Sequence, residues 1–206
     1  MNCLLCEAEF IEKPTWQTLF LLKPNEVICE KCRAAFEKTE DRDFKDDWRG
    51  TKFDGALDSL TSIYTYNDFM KDVLHQYKFL QDVELSMVFM EDFALLKKGT
   101  DMVVPIPMHP EKLRERTFSQ VDELLNAANI PFTQVLEKTL NTTQGKKSKL
   151  DRINSEILFQ VNKEVTGKSI ILVDDLYTTG TTIYHAAYVL KNAGAAKVSA
   201  VTLVRA

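Results

Sequence analysis

Glycine and proline are sparse in this 206-residue chain, seven and six respectively, which excludes collagen-like and low-complexity architectures. No apolar run approaches the roughly 18–20 residues that span a bilayer, so no membrane insertion is expected. Residues 1–6 lack a basic stretch followed by an apolar one, and no secretory leader is expected either. An excess of positive charge is missing too. The 26 Lys+Arg stand against 30 Asp+Glu, which excludes a uniformly basic nucleic-acid binder but leaves room for a local basic patch. The three histidines, His75, His109 and His185, are scattered and fit no nucleophile or metal pattern. What remains, with 45% hydrophobic residues, is enough for one α/β core plus a small module in a cytosolic protein.

All four cysteines fall within the first 32 residues, as Cys3-x-x-Cys6 and Cys29-x-x-Cys32. In a reducing compartment two such pairs read as metal ligands rather than disulfides. The 22 intervening residues suit two knuckles that share one tetrahedral Zn²⁺. Four thiolates leave no open coordination position, so the zinc is expected to be structural. An iron–sulfur cluster is the less fitting alternative, because the closely grouped ferredoxin spacing is missing. Residues 1–36 are thus expected to form a zinc module, residues 37–56 a charged linker, and residues 57–206 the main domain.

Residues 59–66 are β-branched and aromatic and predict a strand. Asn67 and Asp68 can cap a helix in which Phe69, Val73, Leu74 and Tyr77 share a face. A second helix is expected over about 83–97, ended by Lys97, Lys98 and Gly99. Residues 102–106 form a short apolar strand that stops at Pro105 and Pro107, because proline cannot donate to a ladder. One helix with Phe118, Val121, Leu124, Leu125 and Ala128 on one face follows. Residues 169–173 read as a strand buried on both faces of a parallel sheet. Residues 181–193 are helical with Ile183, Ala186, Ala187 and Leu190 inward, stopped by Gly194, and residues 198–204 form a last strand. Strand, loop, helix and strand in this order make a βαβ unit and an α/β fold.

The chemistry concentrates where the 169–173 strand ends. Asp174 and Asp175 follow four apolar residues, and Thr178, Thr179, Gly180, Thr181 and Thr182 then open a helix. Ligands of open parallel sheets bind beyond the carboxyl ends of the strands. Backbone N–H groups at a helix start, with small hydroxyl residues, make a phosphate cradle. Carboxylates accept hydrogen bonds from sugar hydroxyls and help to hold Mg²⁺. A ribose 5-phosphate group has both ends of this requirement. A strand followed by an ordinarily capped helix is the plainer alternative.

This stretch resembles the signature of type I phosphoribosyltransferases, which bind 5-phosphoribosyl 1-pyrophosphate (PRPP) with Mg²⁺. The resemblance implies that Asp174 and Asp175 contact ribose hydroxyls and that residues 178–182 hold the 5′-phosphate. Tyr177 departs from the usual aliphatic residue. Further motifs occur in order: the two Cys-x-x-Cys pairs, Tyr77-Lys78-Phe79, Val104-Pro105-Ile106-Pro107, and Arg114-x-Arg116-x-Phe118-x-Gln120. Arg152-x-Asn154 and Thr202-Leu203-Val204-Arg205 complete them. Together they resemble the ComF family of competence proteins, ComFC type, over nearly the whole chain. That resemblance implies a type I phosphoribosyltransferase-like parallel sheet flanked by helices, a role in the uptake of single-stranded DNA, and a ComFA-type helicase partner. An active transferase joining ribose 5-phosphate to a nitrogenous base is the alternative. The family's Arg-Gly-Phe-Asn-Gln is here Arg116-Thr117-Phe118-Ser119-Gln120, and the Gly that often follows Lys-Phe is replaced by Leu80-Gln81-Asp82.

Arg114 and Arg116 sit where the type I fold keeps a pyrophosphate loop, and Arg suits bidentate phosphate recognition, with a solvated helix face as the rival. In the transferase reading Arg116, Asp174 and Asp175 are the catalytic candidates. Lys146, Lys147, Lys149 and Arg152 form a basic cluster that could follow a DNA backbone or simply face solvent. Phe118, Phe132 and Phe159 suit core packing better than base stacking.

Overall fold

A computed structural model describes residues 1–11, 16, 20, 26–40, 48–79, 82–93, 96, 99–139 and 157–206. Four strands, β1 (Ser59–Thr65), β2 (Met102–Pro105), β5 (Ser169–Tyr177) and β6 (Lys197–Arg205), make one fully parallel sheet in the order β1-β6-β5-β2. The short strands β3 (Leu136–Lys138) and β4 (Phe159–Val161) form a separate antiparallel pair. The helices are α1 (Glu30–Ala34), α2 (Asp68–Phe79), α3 (Met90–Phe93), α4 (Pro110–Arg116), α5 (Gln120–Ala127) and α6 (Thr181–Asn192).

Both faces of the sheet are covered, as its unbroken apolar runs require. On one side Met70, Val73, Tyr77, Phe89, Leu124 and Leu125 pack with Val103, Val173 and Leu203. Cys3, Ile28 and Cys32 join that same cluster, so the cysteine-rich segment is seated against the main core. On the other side α6 packs Ile183, Ala186, Ala187 and Leu190 against Ile170, Leu172, Val198 and Ala200. Trp48, Phe53, Ala56 and Leu57 belong to this second core. Within the segment expected as a charged linker, residues 48–56 therefore carry buried aromatic side chains, while residues 41–47 lie outside the described residues.

Several elements follow the sequence pattern closely. Asn67 Oδ1 accepts the Met70 N–H at 2.8 Å at the start of α2. Gly194, with φ +94°, follows the end of α6 in a backbone region that glycine adopts without strain. Others differ. Of the helix expected over 83–97, the described residues 83–93 form a 3₁₀ helix over Val83–Phe89 followed by the single turn of α3, and residues 94, 95 and 97 lie outside the described residues. Its buried residues Leu85, Ser86, Val88 and Phe89 repeat at three, the spacing at which side chains of a 3₁₀ helix eclipse. The helix expected around Phe118 is two helices. Thr117 at φ +65° ends α4, and Ser119 caps α5 by accepting the Asp122 N–H. Phe118 sits in the break, 5.6 Å from the Tyr77 ring.

The largest difference is at β5. The strand runs on to Tyr177 because Asp174, Leu176 and Tyr177 keep their parallel register with Thr202, Val204 and Arg205 of β6. Asp174 and Asp175 are consequently strand residues and not the start of a loop. Among the described residues no helix is long and apolar enough to cross a membrane.

Candidate functional site

β5 delivers two neighbouring carboxylates to the carboxyl end of the sheet. Successive strand residues face opposite sides, and these two find different surroundings. Asp174 lines a cavity of about 120 Å³ together with Leu176, Tyr177 and residues 178–183. Asp175 instead pairs with Lys78 from the end of α2, Nζ to Oδ2 at 2.6 Å. Only 13% of the Lys78 side chain and 17% of the Asp175 side chain are exposed, so this ion pair is largely shielded from water.

Asp174 Oδ1 accepts the Asp175 N–H at 2.9 Å. Burial, and then the neighbouring Asp175 charge, push the Asp174 carboxyl up to about 7, against the opposing pull of that N–H, Lys78 and Lys138. Lys138, on β3, has its own pKa lowered by burial while the Asp174 charge opposes that shift. Two carboxylates and two lysines, drawn from β5, α2 and β3, thus form one electrostatic group. Lys78 was recognised in the sequence only as part of a motif, and Lys138 not at all. Neither had a sequence neighbour that announced its partner.

The turn after β5 is shaped by Gly180, whose φ of +75° sits at the N-cap of α6. A Cβ there would come within 2.5 Å of the Tyr177 hydroxyl. Tyr177 is itself buried, with the Arg205 guanidinium carbon 5.4 Å from its ring centroid. The departure from an aliphatic residue therefore changes how the turn is supported. Thr179 and Thr181 hydroxyls lie 2.9 Å apart, and Trp48 Nε1 donates to the Thr179 carbonyl at 3.2 Å. Trp48 stacks on Tyr184 of α6 with centroids 4.5 Å apart, which anchors the turn from the far end of the sequence. The signal for Trp48 was a large aromatic residue, with Phe44 and Phe53 to either side, within a charged stretch.

The two arginines are elsewhere. Arg114 is exposed in the last turn of α4, and Arg116 Nη1 donates to Gln120 Oε1 at 3.1 Å. Neither lines the cavity around residues 178–183. A chain of contacts does lead from Arg116 back to the acidic pair, because Tyr77, next to Lys78, donates its hydroxyl to the Gln120 carbonyl at 2.7 Å. Lys146, Lys147, Lys149, Arg152 and Asn154 lie outside the described residues, as do Lys97, Lys98, Leu80 and Gln81. His185 is buried in the second core, where Nδ1 accepts the Leu158 N–H. Phe159 is likewise buried core.

The four cysteine sulfurs lie within 4.8 Å of one another, all as free thiols. Cys6 and Cys29 are 3.8 Å apart at sulfur, the edge of about 3.8 Å that a tetrahedron with bonds near 2.3 Å requires. A tight turn and a bond between the two halves build the site. The Glu7 N–H returns to the Cys3 carbonyl, and the Leu4 N–H bonds the Val27 carbonyl across the two halves. Burial raises the Cys3 pKa, but N–H groups of Cys29, Leu5 and Cys6 outweigh it and bring the thiol to about 6. This donor set can hold a metal ion.

Comparison with known proteins agrees with this arrangement. Residues 90–206 match the phosphoribosyl transferase domain family. The chain is 38% identical to the competence protein ComFC of Bacillus subtilis, over 98% of this chain and 94% of that one. It is 34% identical to the competence protein ComFC of Streptococcus pneumoniae over the full length of both. A DNA utilization protein, YhgH, of Salmonella typhi is 26% identical over 71% of each chain. Among solved structures, a hypoxanthine phosphoribosyltransferase from Staphylococcus aureus aligns with a TM-score of 0.38 at 12% identity, covering 61% of this chain and 62% of that one. With its parallel sheet, its loop beyond β5 and its four-cysteine cluster, the chain belongs to the ComFC family of competence proteins and carries a phosphoribosyl transferase domain.

Proposed function

We propose that this protein binds PRPP with Mg²⁺ at the end of β5 and acts in DNA uptake during natural competence, together with a helicase partner. The observation that carries the ligand assignment is the continuity of Asp174 with the 178–183 turn around one cavity. An acceptor for sugar hydroxyls and a set of N–H groups at a helix start stand there side by side, as a ribose 5-phosphate group requires. The residues fit the metal as well, since hard carboxylate oxygens suit Mg²⁺. Bound Mg²⁺ would offset charge on the ligand's pyrophosphate. Asp174 accepts from the ribose hydroxyls, residues 178–182 donate to the 5′-phosphate, and Asp175 holds Lys78 beside them. Arg114 and Arg116, which do not line this cavity, are proposed to meet the pyrophosphate.

The role in DNA uptake is supported by the names of the ComFC and DNA utilization relatives. Structural zinc at Cys3, Cys6, Cys29 and Cys32 is supported by the sulfur spacing. Single-stranded DNA is the expected macromolecular ligand.

Calorimetric titration of PRPP with Mg²⁺ into the wild type and into the Asp174→Ala/Asp175→Ala double variant tests the ligand assignment. Saturable heat in the wild type and its loss in the variant are expected. Equal heats would remove PRPP from this site.

A further inference from the structure

Lys78 occupies a position that a divalent cation would otherwise contest. Its ammonium lies 2.6 Å from Asp175 Oδ2, and both side chains are more than four-fifths covered. A magnesium ion bound directly to that oxygen would sit at about 2.1 Å, close enough for its charge to repel the ammonium already paired there. Displacement from a shielded pair is unfavourable, because the Lys78 ammonium would be left as a largely buried charge without compensation.

The rest of the cluster points the same way. Lys78 and Lys138 both favour the charged form of Asp174, so each lies within electrostatic reach of the carboxylate that faces the cavity. The two lysines balance the two carboxylates when all four are ionised. The sugar end of the site is therefore charge-compensated by the protein's own side chains. Compact, strongly hydrated ammonium groups are suited to that task.

We propose that Lys78 is the resident counter-cation of the acidic pair, so that ribose 5-phosphate esters lacking a pyrophosphate bind this site without a divalent metal. This rests on the ribose-phosphate reading of the cavity and extends its ligand class. Metal then serves the pyrophosphate of PRPP, the group that such esters lack. Lys78 acts through Asp175 and is a positioning residue.

The full chain is titrated calorimetrically with ribose 5-phosphate in EDTA and again in Mg²⁺. Wild-type dissociation constants should agree within about threefold between the two conditions, well below the step that a lost charge-assisted bond produces. Lys78→Met should bind at least about tenfold more weakly in EDTA, the scale of one lost charge-assisted bond, and should recover most of the loss in Mg²⁺. Lys78→Arg, which keeps the charge, should retain metal-free binding. Wild-type binding that drops about tenfold or more in EDTA overturns the proposal, and this arm decides the matter even where Lys78→Met does not fold. A folded Lys78→Met variant that matches wild type in EDTA overturns it equally. PRPP binding that survives while ribose 5-phosphate needs Mg²⁺ leaves the proposed function standing and removes only this inference; no binding of either ligand removes both.

Discussion

Lowering the pH from 8 to 6 should weaken PRPP binding, and Asp174 is the group that sets the size of the effect. Its carboxyl is held at about 7 by burial and then by the Asp175 charge. A proton on Asp174 competes with the ribose hydroxyls that the ionised form accepts. One pH unit above such a pKa about 90% of the groups are ionised, and one unit below about 10%. The apparent affinity should therefore fall by about ninefold across this interval from Asp174 alone. Phosphate groups of the ligand titrate in the same range, with a second pKa near about 6, so the comparison must be internal. Asp174→Asn removes the carboxyl titration and keeps the shape. Calorimetry at fixed free Mg²⁺ should show a weaker but flatter profile for the variant, the difference in slope belonging to Asp174. Parallel profiles would refute the assignment. The sign carries over to stability: a folded-state pKa raised above the ordinary carboxylate value of about 3.9 gives a contribution fully present below pH 4 and lost as pH rises through 7. Asp174→Asn should accordingly be more stable than wild type at pH 8, with that advantage shrinking at pH 5.

Thr117→Gly should stabilise the protein by about 0.5–1 kcal/mol in chemical denaturation. It relieves a β-branched residue at φ +65°, worth about 1–2 kcal/mol, against about 0.4–1 kcal/mol of added unfolded-state freedom. An unchanged or lower midpoint would show that the Thr117 backbone is not strained. Purified protein should contain one zinc per chain, and chelation should lower the melting temperature by about 2–4 °C for each kcal/mol of metal-linked stability lost. The shift is expected because Cys3, Ile28 and Cys32 share a buried cluster with Met70 and Phe89. A metal-free preparation with the same melting temperature would remove the structural role of the cysteines.

Much of this architecture was legible in the sequence. Apolar runs at 169–173 and 198–204 signalled buried parallel strands, and the four-residue recurrences in 181–193 signalled the inner face of a helix, because both patterns are local. The cysteine quartet was equally plain, since thiol chemistry and spacing travel with the chain. The Thr/Gly turn after β5 declared itself for the same reason. Tertiary structure decided the remainder. Whether 83–89 closed as an α-helix or a 3₁₀ helix depended on what its buried side chains met. Asp174 and Asp175 looked equivalent as adjacent letters, yet the pleat of β5 turns one to the cavity and the other to Lys78. Lys78 is 97 residues from its partner, and Trp48 is 131 residues from the carbonyl it anchors. Periodicity records which face of an element is buried. It carries no record of which distant element arrives to cover that face, and here that arrival determined which carboxylate is open to a ligand.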